Sequence, residues 1–286
     1  MTRKLIALDM DGTLLTGEGT ISDENKQAVL DAIAAGHVVM ICSGRAHEAL
    51  LPFLEEEGLK HLPVSGSNGS ITVVEGQVIH RAKMNTQTAE RLFNWLNERK
   101  FPFKIYADQG SFGPGDFFDR AETELATIRS ADESDYEAMG LMKEYTRKYP
   151  PIHVDAFDQL PADIEIFKFF VATFDPEKKV AVESFAREVG GLNITSSFSD
   201  NVELSDALGH KGTGLAAVAN HFGISISDTV AMGDNFNDLG MLKTAGLSVA
   251  MGNAEEDIKK MVDVVTLTND EHGVAHAIRA YVLKDN

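Results

Sequence analysis

The chain is short of cysteine, of positive charge and of long apolar runs, and each shortage closes off a class of protein. Its one cysteine, Cys42, cannot form an internal disulfide, and its place in the apolar run from Val38 to Cys42 makes it a small buried strand residue. Basic residues number 26 against 44 acidic ones, a net charge of -18. A field of that sign repels polyanions and anionic membrane surfaces, which argues against nucleic acid and lipid as partners. No stretch approaches the roughly 18 apolar residues of a membrane span, and the apolar segment near the start, Leu5 to Leu8, is too short for a signal peptide. A cytoplasmic protein is the expectation. Repeats, low-complexity tracts and long linkers are missing as well.

What is present is enough apolar residue, 43% of 286, to bury a full core, over a length that suits two domains. Short apolar runs recur at Leu5 to Leu8, Val38 to Cys42, Thr229 to Met232, Leu247 to Met251 and Val264 to Leu267. Bounded by polar or glycine-rich turns, they read as buried strands of a parallel sheet. Helical patterns lie between them. The stretch from Ser22 to Gly36 opens on a good N-cap, sets Val29, Ala32 and Ile33 on one face and stops at glycine. The stretch from Lys211 to Gly223 does the same with Leu215, Val218, Ala219 and Phe222. Alternating strands and helices predict a doubly wound, Rossmann-like parallel α/β core.

Between about Asn85 and Leu204 that rhythm breaks. A helix from Ala89 to Glu98, a strand near Phe103 to Ala107, acidic helical material from Ala121 to Lys148, a strand from Ile164 to Thr173, a helix from Pro176 to Val189 and a hairpin from Asn193 to Leu204 predict a folded α+β cap. The expected domains are a core of residues 1–84 and 206–286 and an inserted cap of residues 85–205.

Ligand sites of open parallel sheets lie beyond the carboxyl ends of the strands. Asp9 and Asp11 end the first apolar run, Ser43-Gly44-Arg45 the second, and Asp234 to Asp238 follow the third, with Lys211 opening a helix nearby. Carboxylates gathered there repel one another, by about 4 kcal/mol for two unit charges about 4 Å apart at an effective dielectric of about 20. Oxygen donors and few histidines make Mg²⁺ the fitting counter-ion, which also shields an attacking carboxylate from a phosphoryl group. Asp9 is then a candidate nucleophile, and Asp11, two residues on, a candidate proton donor and acceptor. Gly12 permits a sharp turn and Thr13 can hold it with its hydroxyl. Ser43, Gly44, Lys211 and Asn237 offer a hydroxyl, an open backbone N–H, a point charge and an amide to phosphate. Asp234 completes the metal group.

These segments resemble the motifs of the haloacid dehalogenase-like (HAD) phosphatases of the Cof-type, class IIB group. Asp9-Met10-Asp11-Gly12-Thr13 resembles the first motif, Ser43-Gly44-Arg45 the second, Lys211-Gly212-Thr213 the third and Gly233-Asp234-Asn235-Phe236-Asn237-Asp238 the fourth, in the family's order. The segments from Val64 to Gly69, Ser248 to Ala254 and His272 to Ala275 are similar to family segments too. The resemblance covers nearly the whole chain and is weakest in the insert. It implies a Mg²⁺-dependent phosphatase acting on a small phosphorylated metabolite, as a monomer or weak homodimer. Asp9 would be phosphorylated and Asp11 would act as acid and base. Mg²⁺ would bind Asp9, the Asp11 carbonyl and Asp234, with Asn235 or Asp238 assisting, and Met10 would join the phosphate-binding set. His210 stands before the motif lysine, where relatives often have serine, and Val202 to Gly209 lack a proline common there.

Plainer roles compete with these. Asp238 can equally cap the helix that follows it, and Ser43 can cap a helix while binding phosphate. Arg45 reads as an ion-pair partner rather than a substrate contact. His272 and His276 have helical zinc spacing but no glutamate between them and no evident third ligand. Phe112 to Arg120 form either a specificity loop or a segment packed on the cap itself, and Glu203 is open in the same way. Most acids from Glu122 to Glu144 read as a solvated helix face. A phosphomutase using the same aspartate, and a phosphoryl receiver or sugar-phosphate sensor, are the rival functions.

Overall fold

A computed structural model describes residues 2–128, 131, 133–197 and 200–284. The chain divides into two compact units, Met1–Arg81 with Leu208–Asn286, and Ala82–Ala207. The first unit begins with β1 (Leu5–Leu8), α1 (Asp23–Ala34), β2 (Val38–Cys42), α2 (His47–Glu56), β3 (Val64–Gly66), β4 (Ile71–Val74) and β5 (Gln77–Arg81). The second holds α3 (Thr86–Glu98), β6 (Phe103–Ala107), β7 (Gly110–Gly113), α4 (Phe117–Thr127), α5 (Glu133–Lys148), β8 (Ile152–His153), β9 (Ile166–Ala172), α6 (Pro176–Val189), β10 (Leu192–Thr195) and β11 (Asn201–Asp206). The first unit resumes with α7 (Lys211–Phe222), β12 (Thr229–Gly233), α8 (Leu239–Thr244), β13 (Leu247–Ala250), α9 (Glu256–Lys259), β14 (Val264–Val265) and α10 (Gly273–Tyr281).

The sheet of the first unit runs β14-β13-β12-β1-β2-β3-β4-β5. From β14 to β3 every pairing is parallel, and successive side chains alternate between two buried faces. Ile6, Leu8, Val39, Ile41, Val230 and Met232 face a cluster that includes Val29 and Ala32 of α1 and Ala277 and Ile278 of α10. Leu5, Ala7, Met40, Cys42 and Ala231 face the opposite cluster with Leu215, Val218 and Ala219 of α7. Cys42 is fully buried, as expected of a strand residue, and burial pushes its thiol up to about 12. Two pairings depart from the expected parallel rule: β3 with β4 and β4 with β5 are antiparallel. Glu75 and Gly76, both with positive φ, form the tight turn that joins β4 to β5.

Caps follow sequence closely. The Ser22 side chain accepts from Asn25 N at 3.3 Å, and Asp23 and Glu24 occupy the positive first turn of α1. Asp175 caps α6 from the Glu177 N–H at 2.9 Å, with Pro176 next, where a missing N–H costs nothing.

The second unit is built on a six-stranded sheet ordered β10-β11-β9-β6-β7-β8, antiparallel except between β7 and β8. One face, carrying Phe103, Ile105, Phe169, Val171, Val202 and Leu204, packs with Leu92, Phe93 and Leu96 of α3 and Val182 and Ala186 of α6. Two open readings are decided here, and one acid departs from the solvated helix face. Phe112 to Arg120 are no free loop, because Phe112 and Phe117 are buried and a helix starts at Phe117. Glu124 leaves the solvated face: it is buried and accepts from Thr173 Oγ1 and Phe174 N at 2.8 Å each, and Lys178 Nζ joins it at 2.8 Å. Glu203 pairs with Lys168 at 2.7 Å, both buried. Among the described residues no helix is long and apolar enough to cross a membrane.

Phe169→Ala removes a fully buried ring from this second core and should cost about 3–5 kcal/mol. Trp95, the only tryptophan, stacks on Phe185 and Phe101 in the same unit. Its fluorescence during urea unfolding should show a lowered midpoint, and an unmoved midpoint would contradict the packing described.

Candidate active site

The carboxyl ends of β1, β2 and β12 lie side by side, because Leu8 pairs with Met232 on one side and Ile41 on the other. The next residue of β1 is Asp9, whose N–H extends the ladder to Met232 O at 3.0 Å. The chain then folds back in a tight turn, with Leu14 N donating to Asp9 O and Leu15 N to Met10 O. Gly12 has φ +78 in that turn, and a Cβ there would lie 2.3 Å from Asp234 Oδ2. Glycine is needed twice over, for its backbone and for the space. Thr13, expected to hold the turn, instead donates its hydroxyl to Asp234 Oδ1 at 2.9 Å.

Lys211 opens α7 and is fully buried. Its Nζ donates to Asp9 Oδ1 and to Asp238 Oδ1. The other oxygen of Asp238 accepts from the Asp234 and Asn235 N–H groups at 2.9 and 3.0 Å. Asp238 therefore ties the lysine to the Asp234 loop, closing the loop backward rather than capping α8 with its side chain. Asn235 spends its own Oδ1 on Phe236 N at 2.7 Å.

One oxygen each of Asp9, Asp234 and Asp238 lies within 4.8 Å of the others. Three carboxylates beside one ammonium leave two net negative charges when all are ionised. Burial, and then Asp238, push the Asp9 carboxyl well above the usual range, with Lys211 acting against them. Burial and Asp238 likewise push Asp234 up to about 7. Burial works against the Lys211 charge, but Asp238 and Asp9 outweigh it and hold its pKa above the ordinary lysine value. All-oxygen donors with a deficit of two positive charges fit a hard divalent cation such as Mg²⁺.

Asp11 stands outside this group. Arg45 grips it bidentately, Nε to Oδ2 at 3.0 Å and Nη2 to Oδ1 at 2.5 Å, so Arg45 is an ion-pair partner. Ser43 is buried, and its Oγ accepts from Arg45 N at 3.1 Å. A Cβ on Gly44 would lie 3.6 Å from Asn237 Nδ2 and 2.9 Å from Asn68 Oδ1, so two carboxamides sit over that glycine. Met10 buries its side chain in the core, so the side chain does not reach the site. His272 bonds Ser22 Oγ at 2.9 Å and His276 bonds Thr266 Oγ1 at 3.0 Å. Neither histidine belongs to a metal-capable group among the described residues.

Sequence reasoning missed two side chains. Asn253 donates to Gly12 O at 2.8 Å and so fixes the turn bearing Asp11. Asn68 meets Asn237, and the hints were its place in the Val64 to Gly69 segment that resembles the family and before a glycine in a turn-forming Ser67-Asn68-Gly69.

Comparison with known proteins agrees with this geometry. The family model for haloacid dehalogenase-like hydrolases matches residues 6–278. Phosphatase YwpJ of Bacillus subtilis strain 168 is 34% identical over 281 residues, 96% of this chain and 99% of the relative. The same organism's 5-amino-6-(5-phospho-D-ribitylamino)uracil phosphatase YwtE is 33% identical over 285 residues, covering 96% of each chain. A solved haloacid dehalogenase-like hydrolase from B. subtilis superposes with a TM-score of 0.85 at 33% identity, over 98% of this chain and all (100%) of that one. The chain belongs to the haloacid dehalogenase-like hydrolases, and it is a phosphatase of that family.

Gly12→Ala places a methyl group onto Asp234 and should weaken Mg²⁺ binding at least about tenfold by titration calorimetry, a loss equal to about 1.4 kcal/mol. Binding as tight as in the parent would show that Asp234 does not need this approach. Protons compete with any cation for Asp234, whose carboxyl titrates near 7: below that pH it is neutral and must lose its proton. Mg²⁺ affinity should therefore fall as pH drops from about 8 to about 6, and a flat profile would be inconsistent with the raised carboxyl.

Proposed function

We propose that the chain is a Mg²⁺-dependent phosphatase that hydrolyses a small phosphorylated metabolite through a phosphoaspartate at Asp9. The observation that carries this is the Asp9 carboxylate, held at the head of β1 by the buried Lys211 ammonium beside Asp234. Asp9 and Asp234 would hold Mg²⁺, which supplies positive charge against the phosphoryl oxygens and relieves their repulsion of the attacking carboxylate.

Asp9 attacks phosphorus through one carboxylate oxygen, forming the new O–P bond as the bond to the leaving oxygen breaks. Asp11 gives that oxygen a proton. In the second step Asp11 takes a proton from water, which attacks phosphorus and releases Asp9 and inorganic phosphate. To serve in the first step Asp11 must be protonated, so its carboxylate has to leave Arg45. Ser43 Oγ, the Gly44 N–H, the Met10 main chain, Lys211 and Asn237 provide the donors that orient the phosphoryl oxygens. Lys211 also favours the ionised form of Asp9 against burial and Asp238, and holds it in place.

A small metabolite as substrate is supported by YwtE, whose name specifies a phosphorylated ribitylaminouracil. That compound belongs in the first screen, beside sugar phosphates, nucleotides and phosphates of pyridoxal and flavin. Inorganic phosphate release from at least one of them, dependent on Mg²⁺ and abolished by EDTA, is the expected result. Asp9→Asn should reduce turnover by at least about 10³-fold while circular dichroism at the assay temperature shows the parent's fold. A fully active Asp9→Asn enzyme would eliminate the phosphoaspartate route.

A further inference from the structure

We infer that Asn68 is a positioning residue of the phosphate cradle, acting through Asn237 and Gly44; this deepens the phosphatase reading above and rests on it. The turn that carries it is unusual in its backbone. Ser67, Asn68 and Gly69 have φ of 49°, 57° and 96°, three consecutive residues in the left-handed region, two of them with a side chain. Each such non-glycine residue costs about 1 kcal/mol or more, and the conformation persists only where its surroundings fix it.

Three segments of the site do the fixing. Ser67 N donates to Arg45 O at 2.8 Å and Asn68 N to Ser43 O at 2.9 Å, so the turn is bonded by its main chain to both sides of Gly44. Gly69 presses on the start of α7, where a Cβ would lie 2.1 Å from His210 O and 2.9 Å from Lys211 N. Asn68 Oδ1 accepts from Asn237 Nδ2 at 3.4 Å and lies over Gly44. One buried carboxamide thus meets two of the groups assigned to phosphate, on a turn wedged against a third, Lys211.

The consequence is chemical. An amide has two N–H groups, and giving one to Asn68 sets the plane in which Asn237 presents the other. The same contact holds the Asn237 side chain against Gly44. Asn68 does not transfer a proton or attack; it fixes the direction of donors that would otherwise rotate, and pre-set donors bind an anion without paying to be ordered.

Asn68→Gly separates this role from a merely structural one. Glycine accepts the left-handed backbone at no steric cost, so the variant should unfold at or above the parent's temperature. It nevertheless loses the carboxamide, so calorimetric binding of orthophosphate in the presence of Mg²⁺ should weaken about tenfold, the value of about one hydrogen bond. The KM for any substrate should rise by more than kcat falls. Asn68→Asp should weaken orthophosphate at least as much, because it places a negative charge beside the anion. In a double-mutant cycle, Asn68→Gly should add little to Asn237→Ala if it works through that residue. Orthophosphate affinity within about twofold of the parent in a folded Asn68→Gly variant overturns the inference, whereas full additivity with Asn237→Ala refutes action through Asn237. An enzyme that releases phosphate from no ester but loses orthophosphate binding on Asn68→Gly overturns the phosphatase reading and leaves this one standing.

Discussion

A single ammonium group carries the electrostatics of this fold. Lys211 Nζ is buried between Asp9 and Asp238, and those two acids in turn sit beside Asp234. Taking an ammonium or a carboxylate out of water costs several kcal/mol per ion, and the mutual attraction offsets it only if every partner is in place. Asp238 shows how complete the arrangement is: one oxygen goes to the lysine and the other to two backbone N–H groups. Losing either end of such a pair leaves an uncompensated buried charge, commonly worth about 3–5 kcal/mol. The lysine is thus a structural ion and a chemical one at once. It holds three segments distant in sequence to one point, and it leaves the acids two charges short of neutrality, the deficit a divalent cation meets.

The sheet explains why that point exists. Parallel strands deliver all their carboxyl ends to one edge, so residues following β1, β2 and β12 become neighbours although up to 225 positions separate Asp9 from Asp234. Small residues then set how closely the loops approach. Gly12 admits the Asp234 carboxylate, and Gly233 does the same for Asp238, whose carboxylate carbon would be 2.5 Å from a Cβ there. The resulting site is close-packed around polar atoms, and Lys211, Asp234 and Asp238 each bond within it.

Five of the six parallel strands of the core were legible as short apolar runs ending in a turn residue, and the edge that collects Asp9, Ser43 and Asp234 follows from topology; β3, three residues long with Ser65 and Gly66 in it, has no such run and was missed. The antiparallel hairpin β4–β5 was missed although Glu75-Gly76 marks its turn, since a two-residue turn between apolar runs was outweighed by the expectation of crossover helices. Glu124 was misjudged for a different reason: one acid among many on a helix gives no periodic sign of burial, and only the Thr173–Asp175 backbone reveals its role. Arg45 was readable as an ion-pair partner, but its acid, Asp11, was not, because a bidentate grip across 34 positions depends on how two loops face each other. The segment holding Asn68 was singled out by resemblance, but the residue itself was not. Its importance comes from a left-handed backbone and a contact across 169 positions, neither of which leaves a pattern.

The account stands or falls on where the phosphoryl group goes. The direct measurement is rapid acid quenching of the enzyme during turnover of its best substrate, followed by peptide mass spectrometry. One added phosphoryl group on the peptide containing Asp9, assigned to that side chain and absent from Asp9→Asn, is what the geometry around Lys211 predicts. A phosphoryl group on any other residue, or none on the parent enzyme quenched while it turns over, would contradict it.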